Sequence, residues 1–367
     1  MLFQSEVFIF AFLPVALIFF HFVTRFSRAA GLAFLIAASL FFYGWHTPAY
    51  VLLILASVVF NYLVAARLSS TRSRGLLAFG IFANLFLLGY YKYSNFFLEN
   101  LALVTGEALP HLDIVLPLAI SFFTFQQIAF LVDSYRGLVE ERSFLRYGLF
   151  ITFFPQLIAG PILHHAEMMP QFRKRLDPAR EKLLNVALGA TIFTFGLIKK
   201  TIIADNAGRY ADALFAQAGA GEPLGLAGGW MAAIAYALQI YFDFSGYADM
   251  ATGLARMFGI ILPQNFNSPY KSTSIIAFWR RWHMTLSRFF RDYLYLPLGG
   301  NRGSDFATLR NLAVVMFLGG LWHGASFNFI IWGFLHGLAL MVERTWSDHV
   351  AKRFNPMGLI GIIIGTA

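Results

Sequence analysis

The sequence predicts an all-α polytopic membrane protein: a bundle of about 9–11 transmembrane helices, joined by re-entrant and interfacial amphipathic pieces. Three observations predict it. Of the 367 residues, 58% are hydrophobic and only 13% charged, too little polar surface to cover a soluble globule of this size. Several stretches approach the roughly 20 apolar residues that cross about 30 Å of hydrocarbon as a helix. The net charge of +9 is gathered into a few connections, as expected when Lys and Arg collect in cytoplasmic loops.

The first span, 7–23, is long, lacks a small-residue cleavage site after it and is followed by many more, so it reads as retained and not as a removed signal peptide. Spans 31–45, 50–66 and 76–91 follow. Arg25 and Arg28 come after the first span, and Arg67, Arg72 and Arg74 after the third. The second connection, "HTP", is uncharged, and the fourth carries Glu99, Glu107 and Asp113. This asymmetry places the N-terminus on the outer, periplasmic side. A fifth span, about 114–132, returns the chain to a loop with Arg136, Arg142 and Arg146. Then "FITFFPQLIAGPIL", 150–163, is interrupted by Pro155, Gly160 and Pro161 and followed by Arg173, Lys174 and Arg175. With basic residues on both sides it reads as a re-entrant hairpin, whose irregular backbone is tolerated only where protein or a wet cavity satisfies it.

Residues 184–203 are expected to run outward and 230–247 inward, joined by the flexible "AQAGAGEPLGLAGG". The apolar piece 250–262 is too short to count as a span. From 263 to 310 there are seven basic residues against Asp292 and Asp305, so that loop is cytoplasmic on this reading. Residues 311–345 would make a helix of roughly 52 Å, too long for one crossing, so two helices with a break near 324–328 are expected. The chain closes on "GLIGIIIGTA", which stops before it could cross: it reads either as a short interfacial tail or, the favoured expectation, as a run with further C-terminal spans beyond it. The whole reads as one transmembrane domain, 1–367, with N-terminal spans to 110 and a core at 111–345 that carries the candidate chemistry. Cysteine is absent, which excludes disulfides and any Cys-bound acyl intermediate.

Within "FWRRWHMTLSRFFRDYLYLPLGGNR", 278–302, Phe278, Trp282, Leu286, Phe289 and Tyr293 recur at helical spacing, while Arg281, Arg288 and Arg291 gather on another face. That pattern predicts an amphipathic helix at the cytoplasmic interface. Its arginines, with Arg280, either meet anionic lipid headgroups or receive the phosphates of a soluble anionic cofactor. His283 sits inside this helix beside Trp282 and, taken alone, could be an interfacial anchor.

His323 differs, because an ionisable group within a bilayer span is costly and such groups commonly mark a functional path. A dry setting favours the neutral imidazole, the form able to act as a general base. The other reading is a hydrogen bond to a backbone carbonyl or a neighbouring helix, and the sequence leaves both open. His336 leans toward structure, since each of the two histidines is followed by Gly, which suits close helix packing. Asp243 in "QIYFDFSGYADM" demands a partner, either structural or as part of a polar path with Gln239 and Asp249. There is no His with Asp four residues later, no Gly-Lys-Ser/Thr loop, no His-Glu-x-x-His and no Gly-x-Ser-x-Gly, and metal chemistry is unsupported.

"SFFTFQ" (121–126), "FFPQLIAGPI" (153–162), "YFDFSGYADMATG" (241–253), "NFNSPYKSTS" continuing to "FWRRWHMTLSRFFRDYLYLPLGGNR" (265–302) and "GLWHGASFNFIIWGFLHG" (320–337) form five ordered blocks. Together they resemble the bacterial branch of the membrane-bound O-acyltransferases, above all its alginate O-acetylation members, with peptidoglycan O-acetylation and D-alanyl transfer members as cousins. The resemblance extends over nearly the whole chain and implies a helix bundle around a central channel in the bacterial inner membrane. It makes His323 the catalytic residue and matches His283 to the family's second marker, a second catalytic-site residue that shapes the channel or stabilises the developing oxyanion, with Trp322 and Asn328 joining Asp243, Gln239 and His336 as channel candidates. It further implies acetyl-CoA as donor, its phosphates near Arg280, Arg281, Arg288 and Arg291, and no metal or prosthetic group. A periplasmic acetyltransferase of the SGNH hydrolase type would receive the acetyl group within a polysaccharide biosynthesis and export complex. Surrounding lipid is the other partner, and nucleic acid is not one. Alginate is the expected polymer, with peptidoglycan or another surface glycan as the alternative.

Two readings from other classes stand beside it. A polysaccharide-precursor transporter would use Asp243 and the buried histidines as a proton relay, but its signature of paired broken helices in two related halves is missing. A non-catalytic membrane scaffold explains the bundle, though neither the buried His nor the basic cluster.

Overall fold

A computed structural model of the chain describes residues 1–158, 160–173 and 179–347. The expectation attached to the closing apolar run falls outside the described residues. Those described are helical, with no strand among them, and five of their helices are long and apolar enough to cross a membrane. The chain forms two compact units interleaved in sequence: one is Met1–Tyr91 with Val115–Asn265, and the other joins Lys92–Ile114 to the described residues from Phe266 onward.

The first unit opens with α1 (Val7–Phe26), α2 (Arg28–Gly44), α3 (Ala49–Thr71) and the start of α4 (Arg74–Thr105). Lipid gives apolar helices no hydrophobic reason to associate, so buried amides act as the glue. Asn61 of α3 hydrogen-bonds to Asn84 of α4 in both directions, at 2.7 and 3.1 Å, and also donates to Gln127 of α5 (Ile120–Arg136). This fifth helix starts later than the expected 114–132. Pro117 and Ala119, the latter left-handed at φ 62°, hold the chain out of helix until Ile120.

The interrupted segment is irregular, as its Pro and Gly residues predict. α6 (Phe144–Thr152) breaks at Phe153 before the one-turn α7 (Phe154–Leu157), and a non-helical stretch leads to α8 (His165–Met168). Its backbone is satisfied from within the protein. The Phe154 amide donates to Ser39 Oγ at 3.1 Å, and Gln156 donates to the Phe150 carbonyl at 2.5 Å.

α9 (Ala179–Ile198) passes through a π-helical turn, Lys199–Ala204, into α10 (Asp205–Gly219), and α11 (Gly225–Met257) returns beside it. Two expectations are corrected here. The start of the piece thought too short to span, 250–262, is the C-terminal part of the 33-residue α11. Most of the supposedly flexible connection is helix, leaving only a short turn between Gly219 and Gly225. Glycines seven residues apart allow the two helices to touch backbone to backbone. A Cβ on Gly189 would lie 2.5 Å from the Gly253 carbonyl, and one on Gly196 would lie 2.6 Å from that of Gly246.

The second unit contains the end of α4, then α12 (Ile275–Trp279), α13 (Met284–Phe290) with a π-helical turn at Arg291–Tyr295, α14 (Asp305–His323) and α15 (Phe327–Thr345). The break between α14 and α15 falls where the sequence placed it: Gly324 is extended and Ser326 caps α15 by accepting from the Asn328 amide. A Cβ on Gly320 would meet the Phe329 carbonyl at 2.3 Å, so these two helices also pack through glycine.

The single amphipathic helix expected over 278–293 is not formed. α12 ends at Trp279, and His283, left-handed at φ 42°, separates it from α13. Packing of Trp282 overrides helical propensity here. Its ring lies 5.6 Å from Phe278, 6.2 Å from Tyr270 and 5.1 Å from Phe266, while the freed Arg281 carbonyl accepts from the Asn267 amide at 2.9 Å.

Candidate active site

His323 is the last residue of α14, at the point where the helix runs out of intrahelical partners for its final carbonyls. Two side chains from the middle of α4 supply them. Lys92 donates to the Trp322 carbonyl, and Tyr93 Oη donates to that of Leu321 at 2.6 Å. The Lys92 ammonium also stands 5.7 Å from the centroid of the Trp322 ring, a cation–π contact. A positive charge at a helix C-terminus is favourable for the helix dipole, so this pair fixes the turn that carries His323.

The His323 imidazole is half-buried among aromatic rings, with Trp322 and Trp332 each 4.9 Å away and Phe329 stacked at 6.2 Å. It lies on the wall of a cavity of about 320 Å³, at the small end of ligand pockets. The same wall carries Trp279, Arg280, Ser287, Arg291, Tyr295 and Arg344. Arg280 is exposed and makes no ion pair among the described residues, whereas Arg291 is held by Asp292 at 2.7 Å. The buried Trp279 indole N–H has no hydrogen-bond partner among the described residues, leaving a donor beside the cavity.

The remaining candidates sort by position. His283 is buried at 1% exposure, stacked on Phe266 at 6.5 Å with its ring 6.1 Å from Trp322, and it is not part of the cavity wall. Burial, with a smaller contribution from the neighbouring His323 imidazole, pushes His283 down to about 3. Trp322, itself buried, thus contacts both imidazoles. His336 lies 4.5 Å from the Trp332 ring and 5.3 Å from Trp279, and its Nδ1 is without a partner among the described residues. Arg281, Arg288 and Asn328 are not on the cavity wall.

Asp243 and Gln239 belong to α11 in the first unit and are not on the wall of this cavity. The partner that Asp243 demanded is Lys200, at 2.6 Å, which also reaches Asp205 at 2.6 Å, while Asp249 pairs with Lys199 at 2.5 Å. Sequence reasoning missed Lys92, Tyr93, Trp279 and Arg344. The one available signal was the lysine in "YYKY", a cation at the edge of an apolar run.

Comparison with known proteins identifies the family. The model of the membrane-bound O-acyltransferase family matches residues 39–366. The chain is 46% identical, over 97% of its length and 72% of the relative's, to a peptidoglycan O-acetyltransferase of Helicobacter pylori. It is 42% identical, over 97% of its length and 69% of the relative's, to a probable alginate O-acetylase of Pseudomonas aeruginosa. A teichoic acid D-alanyltransferase of Streptococcus thermophilus is 28% identical over 62% of this chain and 57% of its own.

Proposed function

The chain belongs to the membrane-bound O-acyltransferase family, and from that premise we propose that it transfers acetyl groups from cytoplasmic acetyl-CoA toward a cell-surface glycan, with His323 as the general base. One observation carries the reading: His323 stands on the wall of a cavity that also bears Arg280, Arg291 and Arg344. An imidazole beside a cluster of guanidinium groups suits a substrate with an acyl group at one end and phosphates at the other. The family assignment as an enzyme removes the transporter and scaffold readings.

In the proposed step, His323 accepts the proton of an acceptor hydroxyl as its oxygen attacks the thioester carbonyl. The tetrahedral intermediate collapses with cleavage of the C–S bond, and the departing CoA thiolate takes the proton from the imidazolium. A thioester is already activated, so no covalent acyl-protein stage is needed. The unpartnered Trp279 N–H is the donor that supports negative charge developing on the carbonyl oxygen. The arginines receive the CoA phosphates, Arg280 foremost because no carboxylate among the described residues pairs with it. His283 acts indirectly, by packing against Trp322, and does not touch the reacting atoms.

The acceptor is a glycan outside the inner membrane, alginate by the sequence-level expectation. Identity of 46% to a peptidoglycan O-acetyltransferase keeps peptidoglycan as the second reading. Acetyl leaves on the outer side, where an SGNH-type periplasmic acetyltransferase of the export machinery takes it up, and the charge asymmetry of the first connections supports an N-terminus on that side.

The test supplies purified protein in detergent with labelled acetyl-CoA and follows hydrolysis or transfer to a soluble acceptor. His323→Ala is expected to lower the rate by about 100-fold or more with expression retained, and an unchanged rate would overturn the assignment.

A further inference from the structure

We propose that Asp133, His164 and His165 form a divalent-cation site suited to zinc, fastening the end of α5 to the segment that contains α8. Asp133 Oδ2 lies 2.9 Å from His164 Nε2 and 3.1 Å from His165 Nε2, and the three ligand-type atoms all fall within 4.8 Å of one another. Bonds of about 2.0–2.1 Å to a tetrahedral ion put neighbouring ligand atoms roughly 3.3 Å apart. The two Asp133–imidazole separations lie within a few tenths of an ångström of that spacing, and the two imidazole nitrogens, within 4.8 Å of each other, close by up to about 1.5 Å on loading. Asp133 and His165 are buried, at 1% and 5% exposure.

Two imidazole nitrogens and one carboxylate oxygen are a donor set for zinc and its transition-metal neighbours, whereas magnesium and calcium prefer oxygen alone. Three protein ligands leave a fourth position open. A cavity of about 270 Å³, with His165, Glu140, Glu141 and Arg173 on its wall, adjoins and offers water to fill it. Two groups oppose binding. Arg136 Nη1 stands 3.7 Å from Asp133 Oδ1 and shares the carboxylate charge. His164 Nδ1 accepts from the Ala166 amide at 3.4 Å. Metal on Nε2 leaves each ring proton on Nδ1, so loading gives up that long hydrogen bond. The ligands are 32 positions apart at the wider spacing, which hides them from any local zinc motif.

The alternative occupant of this geometry is no ion at all: one carboxylate accepting two imidazole N–H bonds. Metal content separates the two. Protein purified in detergent through a histidine-free tag is mixed with equimolar zinc, passed through gel filtration and measured by mass spectrometry of the metal. Wild type is expected to retain about one zinc per chain. His165→Gln and Asp133→Asn should retain none above background, while His111→Gln, a change at an exposed histidine in the other unit, behaves as wild type. Cobalt(II) bound to the unaltered chain gives a second readout needing no variant: visible bands of tetrahedral intensity that zinc abolishes. No retained zinc in wild type, equal retention in His165→Gln, or cobalt without such bands would each overturn the site.

Discussion

Lys92→Met removes the ammonium that caps the last turn of α14 while keeping the length and apolar body of the side chain. What disappears is a hydrogen bond from a charged donor to the Trp322 carbonyl, in the range of about 1.5–3 kcal/mol. A favourable charge at a helix C-terminus is worth up to ~2 kcal/mol when partly buried. These describe one interaction and are not added, so about 2 kcal/mol is at stake. With 1.4 kcal/mol per factor of ten, that corresponds to roughly a 30-fold fall in the population of turns that hold His323 in place. The effect should therefore appear in kcat for acetyl transfer, with KM for acetyl-CoA little changed, because Lys92 is not on the cavity wall. Lys92→Arg keeps the charge and should recover most of the rate. Tyr93→Phe removes only the neutral 2.6 Å bond to Leu321, worth about 1 kcal/mol, and should cost about 5-fold. Steady-state assays on detergent-purified protein read all three. Wild-type kcat in Lys92→Met, or an effect carried wholly by KM, would refute the reasoning.

Arg280→Ala is expected to raise KM for acetyl-CoA about 10-fold by removing one charge-assisted hydrogen bond to phosphate, with kcat at saturation nearly intact, and the effect should shrink at high salt. Gly320→Ala would place a methyl 2.3 Å from the Phe329 carbonyl and 3.0 Å from the Gly333 Cα. Neither backbone atom can swing aside, so a destabilisation of about 1–3 kcal/mol is expected in thermal melts, while Gly229→Ala, in α11 with nothing within 4 Å, leaves the melt no lower and raises it slightly through helix propensity. His283 is held to about 3 by burial against an ordinary value of 6.5. Folding thus favours its neutral form, and the stability this provides is present above 6.5 and disappears as pH falls from there toward 3. His283→Gln cannot titrate and should melt with less dependence on pH between 7 and 5 than wild type; equal slopes would count against the burial argument.

Much of the helical framework was legible because bilayer crossing imposes length: an apolar run near 20 residues has few alternatives. The α14 to α15 break was legible for a local reason, Gly324 followed by Ser326 at a cap. Less legible were features decided by residues distant in sequence. The continuity of α11 into 250–257 depends on glycine packing against α9, which no window on either helix contains. The break at His283 is set by Trp282 stacking on Phe278 and Tyr270, while the local pattern still reads as amphipathic helix. His323 was legible as a misfit in apolar surroundings. The partners that orient it were not, since Lys92 lies 230 positions from Trp322.

The site is built from the ends of helices, and this has a physical cause. A residue in the middle of a helix has its direction fixed by the 3.6-residue period, and its backbone groups are spoken for. At an end both constraints relax. His323 closes α14, Trp279 closes α12 and His283 precedes α13 in a left-handed turn. Each end also leaves polar groups that need partners inside an apolar bundle, and the Leu321 and Trp322 carbonyls obtain theirs from Tyr93 and Lys92. The demand that helix ends be satisfied thus brings a cation and a hydroxyl to the neighbourhood of the imidazole, and the resulting constellation follows from the membrane's intolerance of unpaired backbone as much as from the needs of acyl transfer.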